Sequence, residues 1–288
     1  MKIGILGLNS YICNKFSEYI SSEKSFDVEK IDCRNEHWNV ESFSKYGIIL
    51  CPIGIAHVST DPSMERKYYA INRDLPVAIA KKAKADGAKH FVFFSSMIVY
   101  GADKTIGADF IIDSSTSPDP ENFYGKSKLE AEQELLKLQD ENFSVTILRI
   151  PMVYGPDCKG NFPRLLKVAK KSPLCPLIQN KRSMIYVDNL CEFLRLVIET
   201  KQSGILYPQN SEYVSTVDII KTAAKYFNHK IIFVRCFNPL IKLLSKRFGI
   251  INKIFGTKFY NMSLSPDVSK YNTVDFETSI KECVAAFK

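Results

Sequence analysis

The chain carries two short stretches that decide its architecture, Ser95-Ser96-Met97-Ile98-Val99-Tyr100-Gly101 and Tyr124-Gly125-Lys126-Ser127-Lys128. The second stretch opens a run of strong helix formers, so the sequence predicts a helix there. Tyr124 and Lys128 are four positions apart, which places both side chains on one face of that helix. Because an ammonium beside a phenol favours the phenolate, we expect the pKa of Tyr124 to lie below its usual value of about 10.

Ser96 completes this arrangement from a different element. It follows an apolar run at 91–94 that is typical of a buried strand, so its hydroxyl is expected at the end of that strand. There it can hold a substrate oxygen beside the phenol of Tyr124. A Tyr and a Lys at this spacing also occur on ordinary solvated helix faces. We therefore base the prediction of an acid–base site on Ser96, Tyr124 and Lys128 taken together.

The alternation of apolar runs with helical segments extends from the amino terminus to about residue 150. Strands are predicted at 2–7, 26–31, 48–51, 90–94 and 145–148, and helices at 11–22, 68–85 and from 124 onward. This order is typical of right-handed βαβ units, so the sequence predicts an α/β fold with a Rossmann-type, doubly wound parallel sheet. After Pro151 recurring prolines break the chain into shorter elements, and the pattern loosens.

Composition limits the class of partner. A chain of 288 residues with a net charge of +8 is large enough for a substantial core and attracts anionic partners. Its Lys and Arg occur along the whole chain, which fits phosphorylated substrates or an anionic membrane surface better than nucleic acid. The eight cysteines include no C-x-x-C pair, which indicates reduced thiols, a cytoplasmic location and no metal site. The apolar run at the amino terminus is too short for a signal peptide.

The motifs resemble those of the NAD-dependent epimerase/dehydratase family, which are extended short-chain dehydrogenase/reductases that act on nucleotide sugars. The matches run from Gly7 to about Asn189, which is roughly the first two thirds of the chain. The resemblance implies an NAD(P)-binding domain at 1–150 and a smaller substrate-binding domain at 151–288, partly interleaved with the first. It also implies a nucleotide-diphosphate sugar as the substrate.

The turn after the first predicted strand reads Gly7-Leu8-Asn9-Ser10-Tyr11-Ile12-Cys13, where the family has G-x-x-G-x-x-G. Such a turn lets backbone N–H groups and a helix N-terminus meet a pyrophosphate. Ser10 and Cys13 replace the second and third glycines, and both replacements are small. Ser10 is able to donate to a phosphate, although looser cofactor binding is equally compatible. We predict cofactor contacts from Gly7, Asn9, Ser10, Tyr11 and Ile12.

Two residues after the second strand give opposite indications about the cofactor. Asp32 lies where an acidic side chain would bind the adenosine ribose and repel a 2′-phosphate, which favours NAD. Arg34 is able to pair with that phosphate, which favours NADP. NAD is the slightly favoured cofactor, and NADP stays open.

Other positions are assigned by resemblance. Gly54 is expected to let the backbone approach the cofactor, and Asn72 to brace a helix and a strand near the nicotinamide. Pro151, at the end of the last strand of the first domain, is also assigned to the cofactor site. His57 is a lone histidine and is interpreted as a structural loop residue rather than a catalytic one.

The resemblance also implies how the residues divide the reaction. Lys128 would hold the nicotinamide ribose and lower the pKa of Tyr124, which would move the proton of a sugar hydroxyl shared with Ser96. Dehydratases of the family carry an Asp-Glu pair where this chain has Met97 and Ile98, which cannot transfer protons. The expected reaction is therefore epimerisation, or reduction of a 4-keto group, on a UDP-linked hexose or deoxyhexose in surface polysaccharide synthesis.

Substrate contacts are expected from Ser96, Met97, Tyr124, Asn161 and Arg182. The segment that begins at Arg182 resembles R-D-F-x-x-V-x-D-L, whose arginine meets the nucleotide diphosphate, and a guanidinium is able to bond two phosphate oxygens at once. Met152 replaces an asparagine that often contacts the sugar, which leaves the sugar undefined.

The segment 239–256 is amphipathic and basic, and a break is expected at Gly249. Packing against the substrate domain is the favoured interpretation, and contact with an anionic membrane surface or a lipid-linked sugar is the alternative. A non-catalytic dinucleotide-binding sensor and a membrane-associated assembly protein are the rival functions. A homodimer is also left open.

Overall fold

The computed structural model of the protein describes residues 1–34, 36–55 and 61–288. The strands are β1 (Lys2–Leu6), β2 (Asp27–Ile31), β3 (Ile48–Cys51), β4 (His90–Ser96), β5 (Asp109–Ile112), β6 (Ser144–Ile150), β7 (Met152–Tyr154), β8 (Leu174–Pro176), β9 (Met184–Tyr186), β10 (Gly204–Leu206), β11 (Ile232–Val234) and β12 (Thr257–Tyr260). The α-helices are α1 (Tyr11–Tyr19), α2 (Glu65–Tyr69), α3 (Leu75–Ala85), α4 (Phe123–Leu136), α5 (Phe162–Lys171), α6 (Val187–Thr200), α7 (Thr216–Tyr226), α8 (Asn238–Ser245), α9 (Gly249–Phe255), α10 (Val268–Tyr271) and α11 (Phe276–Ala286). A π-helical turn, Ala70–Asp74, separates α2 from α3.

The central sheet has six parallel strands within the described residues, in the order β10-β6-β4-β3-β1-β2. From β1 the chain moves to β2 on one side and then through β3, β4, β6 and β10 on the other. The order therefore reverses between β1 and β3. Open α/β sheets bind ligands beside the carboxyl ends of the strands at such a reversal. The predicted Rossmann-type, doubly wound sheet is confirmed.

The strands in the middle of this sheet are apolar because helices cover both of its faces. All four residues of β3 are buried, and so are the first six of β4. Helix α3 packs Ile79, Ala80 and Ala83 into the core beside them. This core fixes the ends of β3 and β4, from which the loops of the candidate site begin.

The chain forms two compact units by its contacts. The first consists of Met1–Ala102, Ser117–Ile150 and Cys191–Pro208, and it contains the six-stranded sheet. The second consists of Asp103–Thr116, Pro151–Leu190 and Gln209–Lys288, and it contains the parallel strand pairs β5–β12, β7–β9 and β8–β11. The assignment of cofactor binding to 1–150 and of substrate binding to 151–288 stays a prediction.

All eight cysteines are free thiols, and only Cys236 is exposed. Burial raises the pKa of Cys13 and of Cys51 to about 12, so both thiols stay protonated at neutral pH. Across 1–34, 36–55 and 61–288, no helix is both long enough and apolar enough to cross a bilayer. In the same part of the chain, no three His, Cys, Asp or Glu side chains come together as metal ligands would.

Candidate active site

Helix α4 begins in close contact with the segment that follows β4. Asn122 caps the helix, its side chain accepting from the backbone N–H of Gly125 at 2.9 Å. A Cβ atom on Gly125 would lie 2.7 Å from the Cβ of Pro120 and 3.0 Å from the carbonyl oxygen of Ile98. Only glycine allows this approach, which brings the first turn of α4 beside the end of β4. Sequence reasoning missed Gly125, although a glycine inside a helix costs about 1 kcal/mol against alanine and therefore needs a reason.

The hydroxyl groups of Ser96 and Tyr124 meet at this contact. Ser96 ends β4 and caps a short 3₁₀ turn (Met97–Tyr100), where its Oγ accepts from the N–H of Ile98 at 3.3 Å. The same hydroxyl lies close enough to the phenol of Tyr124 to influence its pKa. Tyr124 is 8% exposed, and its ring lies edge-on to that of Tyr68 with centroids 6.1 Å apart. The structure thus brings together two of the three residues predicted as catalytic.

The expected direction of the Tyr124 pKa shift is wrong. Burial raises the pKa of Tyr124 above its ordinary value, and the neighbouring hydroxyl of Ser96 offsets this rise only in part. Removing the phenolate from water outweighs stabilisation by the neighbouring groups. At neutral pH the side chain is therefore a neutral phenol, which is able to donate a proton.

Lys128 lies one turn beyond Tyr124 and is buried. Its Nζ donates to the carbonyl oxygens of Ile53 and Phe94, both at 2.9 Å, and it lies 4.4 Å from the ring centroid of Phe93. Burial lowers the pKa of Lys128 to about 8. The ammonium is therefore held between the loop that follows β3 and the end of β4.

Gly54 and Asn72 build the space around this ammonium. A Cβ on Gly54 would lie 2.8 Å from the Nζ of Lys128, so Gly54 makes room for that lysine. Asn72 lies in the π-helical turn and is fully buried, its Oδ1 accepting from the N–H of Ile55 at 2.7 Å. Its Nδ2 donates to the Oγ of Ser127 at 3.2 Å. Asn72 thereby ties the loop after β3 to α4, and such π-helical turns are frequent at functional sites.

A buried ionic network continues along the same face of α4. Glu132, one turn beyond Lys128, pairs with Arg149, whose NH2 atom donates to Oε2 at 2.7 Å. The hydroxyl of Ser95 donates to the same carboxylate, and the NH1 atom of Arg149 donates to the hydroxyl of Tyr100 at 2.6 Å. Sequence reasoning missed this network. The four-residue spacing along α4 would have placed Glu132 on the inner face, but not its partners.

The turn after β1 begins at Gly7 and leads into helix α1. Gly7 adopts φ +94°, and no atom lies within 4 Å of the position that a Cβ would take. Ser10 caps α1, its Oγ accepting from the N–H of Cys13 at 3.4 Å, and Cys13 is buried. The two replacements of glycine thus cap and pack the helix. A glycine turn that opens onto a helix N-terminus, next to the reversal in strand order, fits a pyrophosphate.

Asp32 and Arg34, which gave opposite indications, are bonded to each other. The carboxylate of Asp32 accepts from the Nε of Arg34 at 2.9 Å and from its NH2 atom at 2.7 Å. The contacts predicted for Asn9, Tyr11, Ile12 and Pro151 stay predictions. His57 lies outside the described residues.

The predicted substrate residues of the second unit line a cavity of about 340 Å³. Arg182 donates to the Oδ1 of Asp103 at 3.1 Å and to the carbonyl oxygen of Lys253 at 2.9 Å. Asn161 precedes α5, and its side chain does not cap that helix. The cavity is walled mostly by aliphatic side chains, with Arg164 and Lys253 as further cations. It therefore combines an apolar lining with positive charge.

The model of the NAD dependent epimerase/dehydratase family matches residues 10–208. Over 217 residues the chain is 31% identical to a UDP-glucose 4-epimerase of Vibrio cholerae, covering 70% of this chain and 64% of that protein. Over 209 residues it is 29% identical to an N-acetyl-alpha-D-glucosaminyl-diphospho-ditrans,octacis-undecaprenol 4-epimerase of Escherichia coli O157:H7, covering 69% and 61%. The matched stretch spans less than two thirds of either relative.

Solved structures share the fold over the whole chain. The UDP-glucuronic acid 4-epimerase of Bacillus cereus, in complex with NAD, has a TM-score of 0.78 at 17% identity and covers 100% of this chain and 96% of that one. A dTDP-4-dehydrorhamnose reductase of Clostridium acetobutylicum has a TM-score of 0.76 at 19% identity and covers 99% of both chains. At these identities the likeness concerns the fold.

Proposed function

Because the chain belongs to the NAD dependent epimerase/dehydratase family, we propose that it is an NAD(P)-dependent enzyme that epimerises a nucleotide-diphosphate sugar or reduces its 4-keto group. The observation that carries this proposal is the close approach of the first turn of α4 to the end of β4, which brings Tyr124 beside Ser96, with buried Lys128 one helical turn further along. Three polar groups are thereby held at the carboxyl end of β4, near the reversal in strand order where α/β sheets bind ligands.

The chain's own residues supply the proton chemistry. When bound, the nicotinamide cofactor supplies and accepts the hydride. Tyr124 is a neutral phenol at neutral pH and donates a proton to a keto oxygen while Ser96 hydrogen-bonds that oxygen. In the opposite direction the phenolate takes the proton of a sugar hydroxyl, and Lys128 is the ammonium that α4 offers to stabilise it. Met97 and Ile98 cannot transfer protons, so we do not propose a dehydratase reaction.

The second unit supports a substrate that carries a diphosphate. Arg182, Arg164 and Lys253 place three cations around one cavity, and guanidinium groups suit phosphate oxygens. A UDP-linked hexose or deoxyhexose is the first candidate. A sugar diphosphate on a polyprenol is the second, because the cavity lining is largely apolar and one relative is named for such a substrate. A cytoplasmic location and a role in surface polysaccharide synthesis belong to this proposal.

The test is turnover of a panel of UDP-sugars, nucleotide-linked 4-keto sugars and polyprenyl-diphosphate sugars with NAD or NADPH. An epimerase inverts the C4 stereochemistry without net change in the absorbance of the reduced nicotinamide. A reductase oxidises the reduced cofactor, so this absorbance falls. NAD that stays bound through purification favours the epimerase. A protein that binds the cofactor and turns over no member of the panel would be a dinucleotide-binding sensor instead.

A further inference from the structure

Helix α8 and the residues on either side of it turn their apolar side chains toward solvent. The large apolar residues exposed in this segment are Phe237, Leu240, Leu243, Leu244, Phe248 and Ile250, which together we call the α8 surface. Leu243 is 64% exposed, whereas the polar Ser245 and Asn252 are buried. For α8 this differs from the favoured interpretation, in which the apolar face of the segment packs against the rest of the substrate domain, whereas Ile254 and Phe255 at the end of the segment do line the cavity of the second unit.

The stretch of sequence that contains the α8 surface is strongly basic. No Asp or Glu occurs between Asp218 and Asp267, whereas this stretch contains nine basic residues: Lys221, Lys225, Lys230, Arg235, Lys242, Lys246, Arg247, Lys253 and Lys258. Its charge thus exceeds the net charge of +8 of the entire chain. Among the described residues, Lys242, Lys246 and Arg247 have no acidic partner within ion-pair distance, so their charge faces solvent.

We propose that the α8 surface docks onto an anionic lipid bilayer. An interfacial helix buries its apolar side chains at the boundary between headgroups and acyl chains while its Lys and Arg meet lipid phosphates. Helix α8 offers both, with Leu240, Leu243 and Leu244 at the i, i+3 and i+4 positions of one face and Lys246 and Arg247 just beyond its end. The helix has eight residues, so it lies on the bilayer and does not span it.

A second copy of the chain is the competing occupant, and charge argues against it. A two-fold dimer would place the same surface on both sides of the interface. Each cation would then face another cation, and this repulsion would destabilise the dimer. Contact of the same cations with anionic lipid is favourable. The docking does not depend on the proposed proton chemistry, because Ser96, Tyr124 and Lys128 belong to the first unit and the α8 surface belongs to the second.

The experiment is flotation of the full chain with vesicles of phosphatidylcholine, with and without phosphatidylglycerol. We expect flotation only with the anionic lipid, and weaker flotation as salt concentration rises. Lys246→Glu/Arg247→Glu is expected to weaken binding by roughly 25-fold or more, since each Lys or Arg near an anionic surface strengthens binding about fivefold. Leu240→Ser/Leu243→Ser is expected to weaken it by more than about tenfold.

Two matched variants control for net charge and for apolar exposure. Lys24→Glu/Lys89→Glu makes the same charge change at exposed lysines elsewhere, and Val40→Ser/Ile111→Ser removes exposed apolar side chains elsewhere. Both are expected to float like the wild type. Docking is overturned if the wild type does not float, or if the α8 variants float as well as these controls. A dimer in light scattering that Leu240→Ser/Leu243→Ser dissociates, without any lipid binding, would assign the surface to a second copy instead.

Discussion

A Cβ atom built on Gly54 lies 2.8 Å from the Nζ of Lys128, which is closer than two such atoms approach in proteins. The lysine occupies the space that a side chain at position 54 would enter. There its ammonium donates to the carbonyl oxygens of Ile53 and Phe94. The loop after β3 and helix α4 therefore depend on each other at this contact, as they also do through Asn72.

Gly54→Ala is expected to displace either Lys128 or the loop, because overpacking a filled site typically costs about 1–3 kcal/mol. Affinity for NAD, measured by titration calorimetry, should then fall by about tenfold or more. Gly249→Ala is the matched control, since no atom lies within 4 Å of the added Cβ there. Unchanged affinity in Gly54→Ala would show that the cofactor does not need Lys128 in this position.

The pKa of Lys128 predicts that NAD affinity depends on pH. Burial lowers this pKa to about 8, so the ammonium is present below that pH and is lost as the pH rises through it. NAD affinity is expected to fall across the same range if the charged lysine holds the cofactor. The pKa of Tyr124 is raised, so that phenol stays protonated throughout and does not cause the fall.

Titration of NAD affinity around pH 8 in the wild type and in Tyr124→Phe checks this assignment. Both proteins should lose affinity over the same range. If NAD affinity stays constant well above pH 8, the charge of Lys128 does not contribute to NAD binding. If the pH midpoint of the fall in affinity moves in Tyr124→Phe, the titrating group is the phenol.

Replacement of the phenol separates an enzyme from a dinucleotide-binding sensor. Tyr124→Phe is expected to lower kcat by ~10²–10⁴, the usual contribution of a positioned acid or base, while NAD affinity is retained. Ser96→Ala removes the proposed hydrogen bond to the substrate oxygen and is expected to lower kcat roughly 10–100-fold. Tyr69→Phe is the control, because its hydroxyl donates to Glu130 on the side of α4 away from the site. Wild-type turnover in Tyr124→Phe would show that another group carries the proton.

Sequence periodicity was sufficient to predict the sheet and the position of Ser96 at a strand end, whereas the grouping of Ser96 with Tyr124 depended on the resemblance to the motifs of the family. The sign of the Tyr124 pKa shift could not be predicted. It depends on how completely the phenol is removed from water, and that is decided by packing against residues such as Tyr68. The partners of Glu132 were equally inaccessible, since Ser95 and Arg149 come from two different strands.

The segment at α8 likewise shows what a helical sequence pattern cannot predict. Its pattern indicated which residues lie on one face, and the break predicted at Gly249 is where α9 begins. A pattern does not say whether an apolar face is covered. That depends on where the neighbouring elements lie, and here Leu240 and Leu243 face solvent.

Cofactor preference should change when the Asp32–Arg34 pair is broken. The carboxylate repels a 2′-phosphate and at the same time occupies the guanidinium that would bind it. Asp32→Asn removes the repulsion and releases Arg34, so the ratio of NADP affinity to NAD affinity is expected to rise by about tenfold. Adding Arg34→Ala to this variant should abolish the gain. The ratio in Asp27→Asn, an exposed carboxylate at the start of the strand that precedes Asp32, should stay at the wild-type value.

The buried pair of Glu132 and Arg149 should be the most destabilising site to break. Glu132→Gln leaves a buried guanidinium without its counter-charge, which typically costs 3–5 kcal/mol in the free energy of unfolding. Glu134→Gln, on the same helix, removes only an exposed pair with Lys137 and is expected to cost less than about 1 kcal/mol. Urea denaturation of both variants measures the two losses in the free energy of unfolding.

Glu132→Gln should also change the pH dependence of NAD binding. Because the charge of Glu132 raises the pKa of Lys128, its removal should move the loss of NAD affinity to lower pH. If Glu132→Gln is destabilised but the pH midpoint of NAD affinity does not move, the role of Glu132 is to stabilise the fold alone.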